Sequence, residues 1–221
     1  MPLINELLAV QPTPVPTLVS TGWPTLDKVM DGFPKAGVWV VTGGPRKGAS
    51  TVLVEWVGRL ALAGAPSLLT GPELDPVATA HLLAGVHRDR SDWGDVPLHI
   101  ERSPSLPRNV ATWRAVALDR ADRVRGATPG AIRAMADEGR CVIANVPLRK
   151  VVHGAGATAE LDHVWAEAAD VIVEVELYRG LGKQLEDHEV TLSVLHNRHG
   201  PMTQGAGTWL RGYSPITEYD F

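Results

Sequence analysis

The chain has 221 residues, 44% of them hydrophobic, enough for one sizeable core and little for a second. A formal charge of −4 and a pI near 6.1 exclude a protein that coats nucleic acid by bulk electrostatics and leave only local basic strips for phosphate contact. The single cysteine, Cys141, excludes an internal disulfide framework and suits a reducing cytoplasm, where it reads as a small buried apolar residue; no apolar run reaches the roughly 18 residues of a membrane span, and "MPLINELLAV" has neither a basic n-region nor a cleavage motif.

Residues 1–20 read as an arm. "LINELLAV" can form a short amphipathic helix, and the "QPTPVPT" that follows is extended and stiff. Two turns are too short to be stable alone, so the segment is either a frayed terminus or a helix that docks on a neighbouring subunit. The globular domain is expected over 21–221.

Apolar runs then alternate with helical patterns. "VWVVT" (38–42) predicts a strand apolar on both faces, and "STVLVEWVGRLALAG" (50–64) predicts a helix that stops at Gly64. Further strands are expected at 66–70, 98–102, 115–119, 141–146 and 171–177. Helices are expected at 76–86 and 129–138, and a short one at 103–113. This alternation predicts a largely parallel sheet covered by helices on both faces. Residues 171–177 and 190–197 are joined only by a polar loop, which allows an antiparallel C-terminal edge.

Between the first strand and the first long helix lies "GGPRKGAST" (43–51), the strand–loop–helix context of a phosphate loop. Gly43, Gly48 and Ser50 meet the pattern G-x-x-x-x-G-K-[ST], but Ala49 stands where lysine should reach the β- and γ-phosphates. Glycine-rich turns of this kind also serve packing alone. Lys47 precedes the second glycine, where it is either a solvated loop residue or a flexible substitute for the missing lysine.

The segment "STGWPTLDKVMDGFPKAGVWVVTGGPRKGASTVLVEW" resembles the entry into the ATPase domain of the DnaB-type replicative helicases and the related RadA proteins. "LLTGPELDP" resembles the family's second strand ending in a glutamate, "AVALDRAD" its Walker B strand, and "VTLSVLHNRHGP" its K-x-R-x-G-P strand end, in family order over roughly residues 20–221. The resemblance implies a RecA-like P-loop domain that binds ATP and Mg²⁺. Backbone N–H groups of Gly43, Gly44, Arg46, Lys47, Gly48, Ala49, Ser50 and Thr51, with Pro45 in the turn, would cradle phosphates at a helix N-terminus. Ser50 and Asp119 would hold the Mg²⁺, Glu73 would orient the attacking water, and Arg198 would act in trans on the next subunit's site.

Several positions depart from that pattern. His196 stands where the family has lysine, and a histidine is mostly neutral at pH 7. Pro147 falls where the family places a γ-phosphate-sensing glutamine, and proline has neither the amide side chain nor a backbone N–H. The family's single-stranded DNA loops fall on "PLRKVVHGAGATAE", whose cations are Arg149 and Lys150; they are either DNA contacts or a solvated loop end. Arg114, Arg120, Arg123 and Arg125 form a second possible basic strip. The histidines of "HNRH" lack partners at metal-ligand spacing. Trp39, Trp56 and Trp165 belong in the core, whereas Trp93 and Trp209 lie in polar surroundings and are candidates for subunit contacts.

The expected function is a DnaB-like helicase-type motor domain with a degraded nucleotide site, little or no ATP hydrolysis, and possible contact with single-stranded DNA. Its expected partners are further copies of itself in a ring or filament and a protein of replication or repair. The rival expectation is a non-catalytic RecA-fold assembly protein. A small-molecule kinase is disfavoured because no lid or acceptor-binding segment is evident.

Overall fold

A computed structural model describes residues 19–30, 32–33, 36–86, 93–153, 156–179, 187–198, 200, 204–210 and 217–218. The expected arm at 3–10 lies outside them. Val19, just beyond it, bridges to Phe33, and the Ser20 hydroxyl and Thr21 N–H are held by Asp27 in the helix α1 (Pro24–Met30).

β1 (Gly37–Thr42) is buried along its whole length. Trp39 and Val41 project to one face and Val38 and Val40 to the other, so this strand alone contributes to two cores. The same division runs through β4 (Ala115–Leu118) and β5 (Cys141–Asn145): Ala115, Ala117, Cys141 and Ile143 face one core, and Val116, Leu118, Val142 and Ala144 the other. The first core is closed by α1, α2 (Ala49–Leu62) and Leu83 of α3 (Pro76–Val86). The second is closed by α4 (Pro129–Asp137) and α5 (His163–Ala168). Continuous apolar runs in the strands are what burial on both faces demands.

Among the described residues, nine strands form one sheet in the order β11-β10-β9-β8-β1-β5-β4-β2-β3, with β2 at Ser67–Gly71, β3 at Leu98–Arg102, β8 at Val171–Arg179, β9 at Asp187–Asn197, β10 at Gln204–Leu210 and β11 at Thr217–Glu218. The six strands from β8 to β3 are parallel, and β8, β9, β10 and β11 pair antiparallel in succession. This is the expected mostly parallel sheet with an antiparallel C-terminal edge.

Phe33, Trp39 and Trp56 pack with ring centroids 4.9–5.5 Å apart, and Trp165 is buried in the second core, as expected. Each such ring removes on the order of 200 Å² from water. Trp93 departs from expectation, since it packs against the first core with its indole nitrogen buried. Trp209 falls in β10, outside the described side chains. The short helix expected at 103–113 is a loop ending in one 3₁₀ turn, Val110–Thr112, because Pro104 and Pro107 interrupt the helical pattern. No described helix is long and apolar enough to cross a membrane.

Candidate functional site

The C-terminal ends of β1, β2, β4 and β5 converge on one edge of the sheet, where open α/β folds place their crevices. At the end of β1 the chain turns through Gly43–Gly48. A Cβ on Gly43 would lie 2.6 Å from the Val175 carbonyl oxygen, so only glycine lets the loop pass β8. Arg46 takes φ 62°, and the Lys47 N–H closes a turn onto the Gly44 carbonyl at 3.2 Å. Gly48 then enters α2 at φ 94°, a left-handed conformation that glycine adopts without steric cost. No side chain caps α2, whereas α3, α4 and α5 are capped by Asp75, Thr128 and Asp162. The first N–H groups of α2 therefore face the loop without a side-chain acceptor.

Asp119 follows the last residue of β4 and is buried. Its Oδ1 accepts from Ser50 Oγ at 2.8 Å and from Asn145 Nδ2 at 2.7 Å, and Asn145 also donates to Ser50 Oγ at 3.1 Å. Gly71 makes this placement possible. A Cβ there would lie 2.6 Å from the Asp119 carbonyl oxygen, and with glycine present the Asp119 N–H reaches the Thr70 carbonyl at 2.8 Å. The structure thus brings together two expected site residues, Ser50 and Asp119, and adds Asn145. Asn145 could have been found from sequence by the signal that marked Asp119: a polar residue at the end of an apolar strand.

Glu73 lies past β2 on the same edge, beside Ser50, Thr51 and Asp119 around a cavity of about 250 Å³. It is not free. Arg123 ion-pairs with it directly and Arg120 Nη1 lies 3.9 Å away. Arg120 is itself held to Asp122 through two 3.1 Å contacts, and that hydrogen bond, against partial burial, raises its pKa. The proposed basic strip is split: Arg120 and Arg123 follow the C-terminal end of β4, while Arg114 precedes its first residue at the opposite edge.

Arg198 also lies at the opposite edge, because β9 runs antiparallel to β8 and Asn197 pairs with Val171. It therefore cannot reach its own phosphate-loop segment. Its guanidinium meets Asp170 at 3.0 Å and donates to the carbonyls of Glu167 and Ala169 at 3.2 Å each, yet the side chain remains 45% exposed. His196 is exposed nearby.

The expected loop "PLRKVVHGAGATAE" is instead mostly a two-stranded hairpin, β6 (Arg149–His153) paired antiparallel with β7 (Gly156–Glu160). Arg149 Nη1 lies 3.0 Å from Asp162 and is largely exposed; the Lys150 side chain lies outside the described ones. Among the described residues no group of three or more His, Cys, Asp or Glu side chains is arranged to hold a metal ion.

No family model matches the chain, and no curated protein matches it. Solved structures do. One is the ATPase domain of a DnaB-like helicase, at TM-score 0.72 and 15% identity over 98% of this chain and 95% of that one. Another is a DnaB-like replicative helicase studied with primase, at TM-score 0.68 and 14% identity over 98% of this chain and 67% of that one. At these identities the likeness is one of architecture, and the chain has the RecA-like fold of the ATPase domains of DnaB-like helicases.

Proposed function

We propose that the chain is a DnaB-like motor-type domain that binds a magnesium–nucleoside triphosphate, ATP by resemblance, at Gly43–Thr51 and hydrolyses it slowly or not at all. The observation that carries this reading is the Ser50–Asp119–Asn145 cluster at the uncapped start of α2. The donor set fits the group: backbone N–H groups suit phosphate oxygens, and a hydroxyl beside a buried carboxylate suits Mg²⁺. The described protein ligands are too few to hold the ion alone, so it would arrive with the nucleotide's own oxygen atoms. When bound, Mg²⁺ supplies charge neutralisation across the terminal phosphates. Ser50 and Asp119 would hold it, with Asn145 keeping the carboxylate oriented.

Two features support weak turnover. Ala49 offers no cation, and Glu73, the residue expected to orient water, is engaged by Arg123 and Arg120. The same two features favour the second reading, a RecA-fold assembly protein without catalysis, serving replication or repair. A fluorescent ATP analogue titrated with and without Mg²⁺, alongside a turnover assay, separates them. The motor reading expects Mg²⁺-dependent binding with slow turnover; no binding in either condition leaves the assembly reading.

Arg198 acts in this proposal on a neighbouring copy in a head-to-tail ring or filament, which its position away from its own loop supports. Sedimentation that finds only monomer at tens of micromolar, with nucleotide and DNA present, would remove that part. Single-stranded DNA contact is assigned to Arg149 and Lys150. Binding should fall steeply with salt and be lost in Arg149→Ala combined with Lys150→Ala; retention in that variant would move the contact elsewhere.

A further inference from the structure

Resting on that nucleotide-site reading, the geometry points to Arg120 and Arg123 as the cationic half of the site: they take the terminal phosphate of the bound nucleotide, in place of the lysine that Ala49 lacks, and the Glu73 carboxylate engages them as an internal stand-in for that anion.

The argument begins with charge. Among the described residues, the cavity that opens from Ser50 and Thr51 toward α3 is lined by three carboxylates, Glu73, Asp75 and Asp119, and by no cation. Asp75 is occupied in capping α3 through the Val77 and Ala78 N–H groups. Asp119 is occupied by Ser50 and Asn145. A phosphate chain entering such a wall needs positive charge beyond one divalent ion. Arg120 and Arg123 both ion-pair with the remaining wall carboxylate, Glu73.

These arginines are built into position. Arg120 adopts φ 54° and ψ 52°, a left-handed conformation uncommon for a residue with a side chain and maintained only where the surroundings over-determine it. The surroundings here are identifiable: Asp119 before it is fixed in the Ser50–Asn145 cluster, Ala121 after it is buried in the second core, and Asp122 grips its guanidinium at both Nε and Nη2. That turn carries Arg123 to the same carboxylate. On the other side, Arg102 Nε donates to the Pro72 carbonyl at 3.0 Å and steadies the backbone just before Glu73.

The terminal phosphate is the group that meets them. A phosphate chain lying along the loop passes Gly43–Gly48 first and Ser50 next, and Ser50 shares its cavity with Glu73, whereas the loop glycines do not line it. Guanidinium groups bind carboxylate and phosphate in the same planar fork. A phosphate with more oxygen atoms and more charge displaces a half-exposed carboxylate.

The test uses the full chain with Mg²⁺ and two probes, a fluorescent non-hydrolysable ATP analogue and the matching ADP analogue. Wild type should bind the triphosphate more tightly. Arg120→Gln combined with Arg123→Gln should lower triphosphate affinity about tenfold, the scale of charge-assisted hydrogen bonds, and leave diphosphate affinity unchanged. Arg123→Gln alone, at a more exposed position, should move the same way by less. Glu73→Gln should shift it in the opposite direction, tightening the triphosphate several-fold, which a merely structural role for the arginines would not produce. Triphosphate binding unchanged in the double variant, or equal losses for both nucleotides, overturns the assignment. A wild type that binds neither probe overturns the nucleotide-site reading with it and is recognised before any variant is made.

Discussion

Asp170 accepts from the Arg198 guanidinium at 3.0 Å through Oδ1, while its Oδ2 takes the Val38 N–H at 2.9 Å and Arg133 at 2.7 Å. One carboxylate thus joins the start of β1, the approach to β8, helix α4 and the end of β9. Burial pushes the Asp170 carboxyl up, but the Val38 N–H, the Arg133 hydrogen bond and the charges of Arg133 and Arg198 outweigh it and hold the carboxyl below the usual carboxylate range.

Asp170→Asn should therefore cost roughly 2–4 kcal/mol at neutral pH, since it takes the shared carboxylate from both guanidinium groups and leaves Arg133 only its second partner, Asp137. The pH dependence has a definite sign. A folded-state pKa below the unfolded value of about 3.9 means that the contribution is complete above that value and is lost as pH falls through the folded pKa. Urea unfolding of both proteins from pH 7 downward should show their stability difference shrinking only below about pH 4. A difference that begins to shrink near pH 6 would assign the effect to another group.

Gly71→Ala should damage the site as well as the fold. The added Cβ would meet the Asp119 carbonyl oxygen at 2.6 Å and its Cβ at 2.9 Å, so the end of β4 must retreat from β2 and draw Asp119 from Ser50. We expect a loss of about 1–3 kcal/mol, typical of overpacking, together with loss of the Mg²⁺ dependence of nucleotide binding. Unchanged Mg²⁺ dependence would separate Asp119 from the ion.

Cys141 is 3% exposed, and burial pushes its thiol up to about 12. The native protein should resist iodoacetamide at pH 8 and react fully once unfolded in urea. Fast native alkylation would mean that the N-terminal end of β5 opens readily.

β1, β2, β4 and β5 were legible in the sequence because each is a short, largely apolar run buried along its whole length; β3, at the sheet edge, is only partly buried and was marked by Leu98 and Ile100 at alternate positions. The β6–β7 hairpin was not. "RKVVHGAGATAE" has no alternation of apolar and polar residues, and its pairing, from Arg149 opposite Glu160 to His153 opposite Gly156, is a backbone ladder that such small residues do not signal. Ser50 and Asp119 were legible from motif and strand end, and Asn145 could have been. The engagement of Glu73 was not, because it depends on the left-handed turn at Arg120, where no glycine or asparagine marks a positive φ.

Ala49→Lys tests the departure of this chain from the phosphate-loop pattern G-x-x-x-x-G-K-[ST]. Ala49 opens α2, so a lysine there would place a cation in the first turn, beside the loop proposed to hold the phosphates. The same placement opposes the helix dipole, so the variant should be less stable by about 0.3–1 kcal/mol in the absence of nucleotide. With nucleotide the sign should reverse, and Mg²⁺–triphosphate affinity should rise. Turnover should gain one to two of the roughly two to three decades that a single transition-state donor supplies, because Pro147 still offers no side-chain amide and no backbone N–H. That gain should require Glu73, which in the proposed function orients water while the lysine places charge, the two acting on one transition state. Turnover measured on wild type, Ala49→Lys, and Ala49→Lys with Glu73→Gln checks each step. A gain that survives Glu73→Gln would take the water-orienting role from Glu73, and a wild type already turning over rapidly and indifferent to the lysine would assign the missing charge wholly to groups such as Arg120 and Arg123.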